Sequence, residues 1–284
     1  MFDDFELSRR GAKPTHLFRF TRQGVVWRYA ATERDVTIGG FTYTAAAIAR
    51  SEIKQTIEKA QDSITVTLPY NRNPAGTAPP TQPLGDNWYP YTPGDTVGVV
   101  CMATHLTDPD QQLIVEWMGQ VGQPKFTDGK LELTCVPTSS IGKAQRQGAK
   151  WQIACWKTVY STGLRGCNLD RTGQTLAATL SAVSGLTLTA AAFGTAPLSL
   201  AGGSLEYTST SGIVQRLSIM AHSGTSITLL SGAADLAVGL TVSVVPGCPR
   251  TWAACDARGN TVNYGGAIYK PVKNPYQGQS MSWG

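Results

Sequence analysis

This sequence is poor in charge. Asp, Glu, Lys and Arg make up 15% of its 284 residues, against roughly 25% in an ordinary soluble domain. That excludes a disordered, highly solvated chain. It also implies that much of the outer surface is covered by other subunits, because a free monomer carries more charge for solubility. No apolar run approaches the roughly 18 residues of a membrane span. The opening segment, Met1-Phe2-Asp3-Asp4-Phe5-Glu6, is acidic and lacks the basic start and apolar core of a signal peptide. The chain is therefore expected to stay in the cytoplasm, or to be assembled there into something larger. The net charge of +5 is spread along the chain, so specific nucleic-acid binding is not expected.

Catalytic motifs are also missing. There is no Walker loop, no Gly-x-Gly-x-x-Gly and no Gly-x-Ser-x-Gly elbow. Histidine is scarce: His16, His105 and His222 are the three present. His16 falls in a strand-like run. His105 precedes Asp108-Pro109-Asp110. His222 lies in the turn His222-Ser223-Gly224 and reads as a turn residue rather than a base. The expectation is a protein that is not an enzyme.

Hydrophobic residues amount to 42%, with 30 Gly and 16 Pro, which suits a β-rich chain with many turns. Alternation marks strands at 15–22, 25–31, 41–44, 63–69, 95–102, 112–118 and 131–136. Ile53, Gln55 and Ile57 share one face of a further run reaching Glu58. Gln23-Gly24, Gly39-Gly40 and Asp128-Gly129 mark turns. Residues 71–91 read as an irregular loop, of the kind that is functional or makes contacts. Residues 1–150 are thus expected to form an N-terminal β-barrel or sandwich. From 168 to 247, aromatics nearly vanish, and five strand-like runs at 186–193, 204–209, 213–221, 226–230 and 240–245 read as a small β-barrel. It is inserted into a cysteine-bearing subdomain covering 151–284. The tail from 260 to 284 reads as an extended arm that is ordered by docking.

Six cysteines require explanation in a reducing compartment, where structural disulfides are rare. Cys101 and Cys135 lie in apolar strands and read as small buried hydrophobes. The other four group as Cys155-x11-Cys167 and Cys248-x6-Cys255, each in a turn-rich setting. Three readings compete: packing, a structural zinc and an iron–sulfur cluster. The spacings are poor zinc knuckles. A cubane can take thiolates from separate loops, and Cys248-Pro249 is a step familiar from ferredoxin-type sites. Lys157, Arg165, Arg250 and Arg258 each lie within three residues of one of these cysteines. Their charge would offset a cluster of net charge roughly −2. Trp151, Trp156 and Trp252 could shield it from water.

The order of motifs here resembles that of tail-tip hub proteins of long flexible-tailed bacteriophages and gene transfer agents. The resemblance rests on Cys155-Trp156, Gly166-Cys167, Gly202-Gly203, the run from Ile219 to Gly224, and Leu236-Ala237-Val238-Gly239. It continues through the run from Val244 to Arg250, Cys255, Asn263-Tyr264-Gly265-Gly266 and Asn274-Pro275. It covers roughly 150–276. It implies a mainly β virion protein, a homotrimer that closes the tail tube at the baseplate. The implied partners are the distal tail protein, the tape measure and a central fibre or second hub protein. The implied cofactor is a 4Fe–4S cluster on Cys155, Cys167, Cys248 and Cys255. Zinc, in a binding module, and a metal-centred enzyme or redox sensor are the alternatives. Two departures stand out: Tyr264 where the family pattern has Phe, and a displaced Lys270-Pro271 step.

Overall fold

The computed structural model describes Leu7 and residues 14–54, 62–73, 76–138, 151–210 and 212–270. Part of the run at 53–58, the segment 1–6 and the tail beyond 270 therefore lie outside the described residues. The chain is mainly β and divides into two compact units, 1–144 and 145–284.

The first unit contains β1 (Thr15–Arg22), β2 (Val25–Ala30), β3 (Val36–Ile38), β4 (Phe41–Ala45), β5 (Ala49–Arg50), β6 (Ile64–Pro69), β7 (Gly98–Thr104), β8 (Ile114–Thr127) and β9 (Lys130–Pro137). They form one sheet in the order β3-β4-β2-β1-β7-β8-β9-β6-β5. β4 and β5 lie towards opposite ends of that order, yet three residues separate them in sequence. The sheet must therefore curl. Turn chemistry fixes the registers. Gln23 and Gly24 have φ of 47° and 89°, and Gly39 and Gly40 have 59° and 78°, the left-handed pair that a tight hairpin requires.

Alternation carries the core. Ile64, Val66 and Leu68 on β6 are buried and stand opposite Cys135, Leu133 and Leu131 on β9. Phe18 and Phe20 from β1 join them. Each such side chain contributes roughly 1.5–3 kcal/mol on burial. Cys101 and Cys135 belong to this core, where burial pushes both thiols up to about 12. They stay protonated at neutral pH and serve as packing.

Residues 71–91 depart from the expected contact loop. They contain a helical turn, α1 (Gln82–Gly85), and return Leu84 and Trp88 to the core beside Tyr70. The Thr81 hydroxyl donates to the carbonyl of Pro69, and Arg22 donates to Asn87 at 2.9 Å. Much of the segment is a plug for its own unit.

The second unit contains β10 (Leu176–Thr179), β11 (Ala182–Ser184), β12 (Thr187–Thr189), β13 (Ser204–Thr208), β14 (Val214–Ser223), β15 (Ser226–Leu229) and β16 (Thr241–Val245). Seven strands replace the five expected. Their order is β10-β16-β13-β14-β15-β12-β11. The two edge strands, β10 and β11, are consecutive and separated by two residues, so this sheet also curls back on itself. The run at 186–193 is not one strand. It breaks after Thr189, and a 3-10 turn at Ala191–Thr195 drops Phe193 into the centre.

Glu206 on β13 faces Arg216 on β14 and also meets Arg171. Desolvation raises its carboxyl, but the two guanidinium groups outweigh that and hold it below the usual carboxylate range. A group depressed in the folded state adds stability above its unfolded pKa and loses it as pH falls through the folded value. Glu206→Gln should therefore cost about 1 kcal/mol or less at neutral pH, and that cost should vanish as the protein is acidified below the carboxylate range. Urea midpoints of both proteins across that range measure it. An unchanged gap at low pH would assign the loss to packing.

Candidate metal centre

The chain enters the small sheet after Cys167 and leaves it before Cys248. The flanking segments have little core of their own. Among the described residues, no buried hydrophobic lies between Cys135 and Ala178 or beyond Val245. Something other than apolar burial must hold 151–175 and 246–270 together.

Part of the answer is a polar lattice around the four thiols, all of them free and half-buried. The Cys155 N–H donates to the carbonyl of Arg250 at 2.9 Å, which joins the two cysteine segments directly. Cys255 sits on α2 (Trp252–Asp256), a short helix capped by the Thr251 hydroxyl, which accepts from the N–H of Ala254. Asn260 spans the remaining gap. Its side-chain amide donates to the Cys167 carbonyl at 2.8 Å and to Cys167 Sγ at 3.5 Å. Asn263 donates to Asn260, and Asn168 donates to Asn263.

The sulfurs receive donors. The Gly265 N–H points at Cys155 Sγ (3.3 Å), and the Arg250 N–H at Cys248 Sγ (3.4 Å). With the Asn260 amide on Cys167, three of the four accept an N–H. Such bonds stabilise ligating thiolates and tune a bound centre. The Cys255 thiol instead donates to the Asn260 carbonyl at 3.1 Å. Burial pushes this thiol up. Cys155, Cys167 and Cys248 push it further, while Arg258 draws it down. The other three thiols therefore lie within electrostatic reach of Cys255.

Backbone strain gathers here. Tyr160, Asn168 and Arg250 are three of the five described non-glycine residues with positive φ (61°, 55° and 63°). The left-handed turn at Arg250 aims its N–H back at Cys248. Non-glycine residues hold such conformations where the surroundings over-determine them.

The donor set fits a thiolate-ligated centre. It comprises four free thiols, three N–H donors aimed at sulfur and a nearby guanidinium. Arg258 Nε and Nη1 are buried without a partner. Nevertheless, no group of three or more His, Cys, Asp and Glu among the described residues is placed to hold a metal ion.

Several expectations require correction. Trp151 and Trp252, expected to shield the thiols, are 70% and 42% exposed. Trp252 packs edge-on against Tyr264 at 5.2 Å. Lys157 donates to the carbonyl of Gly166 at 2.9 Å, so it clamps backbone. The arm, as far as residue 270, docks within its own unit. The Ala267 N–H donates to the carbonyl of Gln152 at 2.8 Å, and Lys270 Nζ donates to that of Trp151 at 2.9 Å. Asn260 and the Tyr264 hydroxyl are participants that the sequence did not reveal. An asparagine in a Gly/Asn-rich tail carries no signal of a partner 93 residues away.

Tyr264 is informative because a phenylalanine would lack its hydroxyl. That hydroxyl donates to the carbonyls of Ile153 (2.7 Å) and Arg250 (3.2 Å), thus bridging both cysteine segments. Tyr264→Phe should cost about 1 kcal/mol in an unfolding titration and leave metal content unchanged. A loss of metal would mean that the hydroxyl does more than brace.

His16 and His222 are both tied into structural contacts. His16 Nδ1 lies 3.3 Å from Glu116, which also takes Arg50 at 2.8 Å. In the other unit, His222 Nδ1 accepts the Leu200 N–H, and its Nε2 faces the carbonyls of Phe193 and Gly224. It staples three backbone segments.

A family model described as phage conserved hypothetical protein BR0599 matches residues 199–274. An uncharacterized protein of Xylella fastidiosa (strain 9a5c) is 32% identical, with 100% of each chain covered. A chain of the virion of a native gene transfer agent (GTA) particle shares the fold. It has a TM-score of 0.74 at 16% identity, covering 100% of this chain and 98% of that one.

Proposed function

Since this chain belongs to one family with the Xylella fastidiosa protein, and a phage-conserved model matches its C-terminal part, we propose that it is a structural protein of a phage-like virion. Within the particle it is a tail-tip or baseplate hub subunit that assembles as a homotrimer and closes the tail tube. The observation that carries the structural role is the full-length likeness in fold to a chain of a gene transfer agent virion. The resemblance of the motif order in the cysteine-bearing half to tail-tip hub proteins supports the tail-tip position. Low charge supports large permanent interfaces. So do Ile114, Val115 and Met118, exposed apolar residues of β8. Neighbours would be the distal tail protein, the tape measure and a central fibre or second hub protein.

Cys155, Cys167, Cys248 and Cys255 would hold a 4Fe–4S cluster. The other three thiols lie within electrostatic reach of Cys255, and the x11 and x6 spacings are poor zinc knuckles. Zinc demands four sulfurs at about 2.3 Å from one point. When bound, the cluster supplies cross-linking: four loops become one body, and the binding free energy becomes folding free energy. The chain's own residues do the rest. Asn260, Gly265 and Arg250 aim N–H groups at three sulfurs, and Tyr264 and Cys155 tie the two segments.

Metal and sulfide analysis of anaerobically purified protein tests the cluster. About four iron and four sulfide per chain, with brown colour, is the expected result. Colourless, zinc-loaded protein would overturn it in favour of a zinc-stabilised module. Labelled antibodies on whole particles test the position. Label at the tail tip is expected, and label on the head would overturn the hub assignment.

A further inference from the structure

Arg258 is built into the thiol region at a cost that a bound anion would offset. It follows α2, and its Nη2 donates to the carbonyl of Gly247. Its Nε and Nη1 are buried and have no partner. Arginine does not shed its proton, so the charge stays. A buried unsatisfied donor carries the penalty of its lost hydration. Apolar packing could fill the same space more cheaply.

The surroundings define what is missing. The Arg258 N–H donates to the Cys255 carbonyl at 3.2 Å, so the residue follows directly on the helix that carries that thiol. It lines a recess of about 410 Å³ together with Cys248, Pro249, Ala254 and Gly247. The Tyr160 hydroxyl is committed to the carbonyl of Pro246 at 2.7 Å. Neutral thiols cannot balance a guanidinium. Four thiolates around a cubane carry net negative charge of roughly −2. Lys157, another cation near the cysteines, is bound to a backbone carbonyl. Arg258 is the one among the four cations near these cysteines that has buried donors to spare among the described residues.

We propose that Arg258 is a positioning residue of the metal centre, the counter-charge that donates to sulfur from the Cys248 and Cys255 side and raises the centre's reduction potential. The inference rests on the cluster reading above. A cation held beside a cluster favours the more negative, reduced form, so its removal shifts the equilibrium towards the oxidised form.

The test uses full-length chain purified anaerobically, as wild type, Arg258→Lys and Arg258→Gln, with iron content and midpoint potential measured on each. Arg258→Gln is expected to move the reduction equilibrium at least tenfold towards the oxidised form, which is 59 mV for a one-electron couple. Arg258→Lys keeps the charge and should recover most of that shift. Equal potentials in wild type and Arg258→Gln would overturn the role while leaving the cluster in place. Wild type without iron would remove the cluster reading, and the inference with it. Should Arg258→Gln fail to hold iron, Arg258→Lys decides: retained iron at a near-native potential supports the counter-charge. Loss from both variants reduces Arg258 to packing.

Discussion

Replacing any one of Cys155, Cys167, Cys248 or Cys255 by serine should strip most of the iron from the protein and loosen the region around it. The magnitude follows from how little else holds that region. Residues 151–175 and 246–270 contribute no described hydrophobic residue to the core, so binding energy at the thiols replaces the usual apolar term. Structural metal sites of this kind supply on the order of 10 kcal/mol. Losing one ligand of four forfeits a large part of it. Cys101→Ser is the matched control. It leaves a buried hydroxyl in the first unit, at about 1–3 kcal/mol, and should leave iron untouched. Iron per chain and limited proteolysis of the five variants check this. Iron lost from Cys101→Ser and kept in Cys155→Ser would refute the ligand assignment.

The second large effect concerns Gly247→Ala. A Cβ there would stand 2.2 Å from the carbonyl oxygen of Ala201 and 2.4 Å from the carbonyl carbon of Gly202. Both are backbone atoms and cannot swing aside, so the turn at Gly202-Gly203 or the approach to Cys248 must move by more than 1 Å, roughly the overlap with an ordinary contact. Overpacking costs of about 1–3 kcal/mol are typical, and displacement of Cys248 adds loss of iron. Gly259→Ala provides the contrast. Its φ is 60° and nothing lies within 4 Å of the added carbon. It should show the conformational cost alone, about 1 kcal/mol. Urea midpoints and iron content of the two variants separate clash from strain. Equal effects would mean that the close approach relaxes freely.

Local chemistry made much of this fold legible. β1, β6 and β9 announce themselves by alternation, and the Gln23-Gly24 and Gly39-Gly40 turns by composition. β3, β5, β10 and β11 are two to four residues long, too short for any periodicity to register. The break after Thr189 was hidden because the alanines that follow it, Ala190 to Ala192, suit strand and turn alike. Residues 71–91 looked irregular because they are. Their purpose as a plug depends on Leu84 and Trp88 meeting side chains from distant strands. At the thiols, residue type and the charges nearby were readable. Which cation lacked a partner, and which asparagine reached across, depended on folding.

The pairing of β10 with β16, Leu176 opposite Val244, has a topological result. The excursion between Cys167 and Cys248 starts and finishes at one doorway, since its first and last strands are neighbours. Some eighty residues thus separate the two thiols along the chain, while the spatial tether between them is only a handful of residues beyond the paired strands. Loop-closure entropy grows with the logarithm of the flexible length, so the folded cassette makes the far cysteines local to the near ones. The cassette can then vary in size or surface without altering the spacing of the sulfurs that frame its doorway.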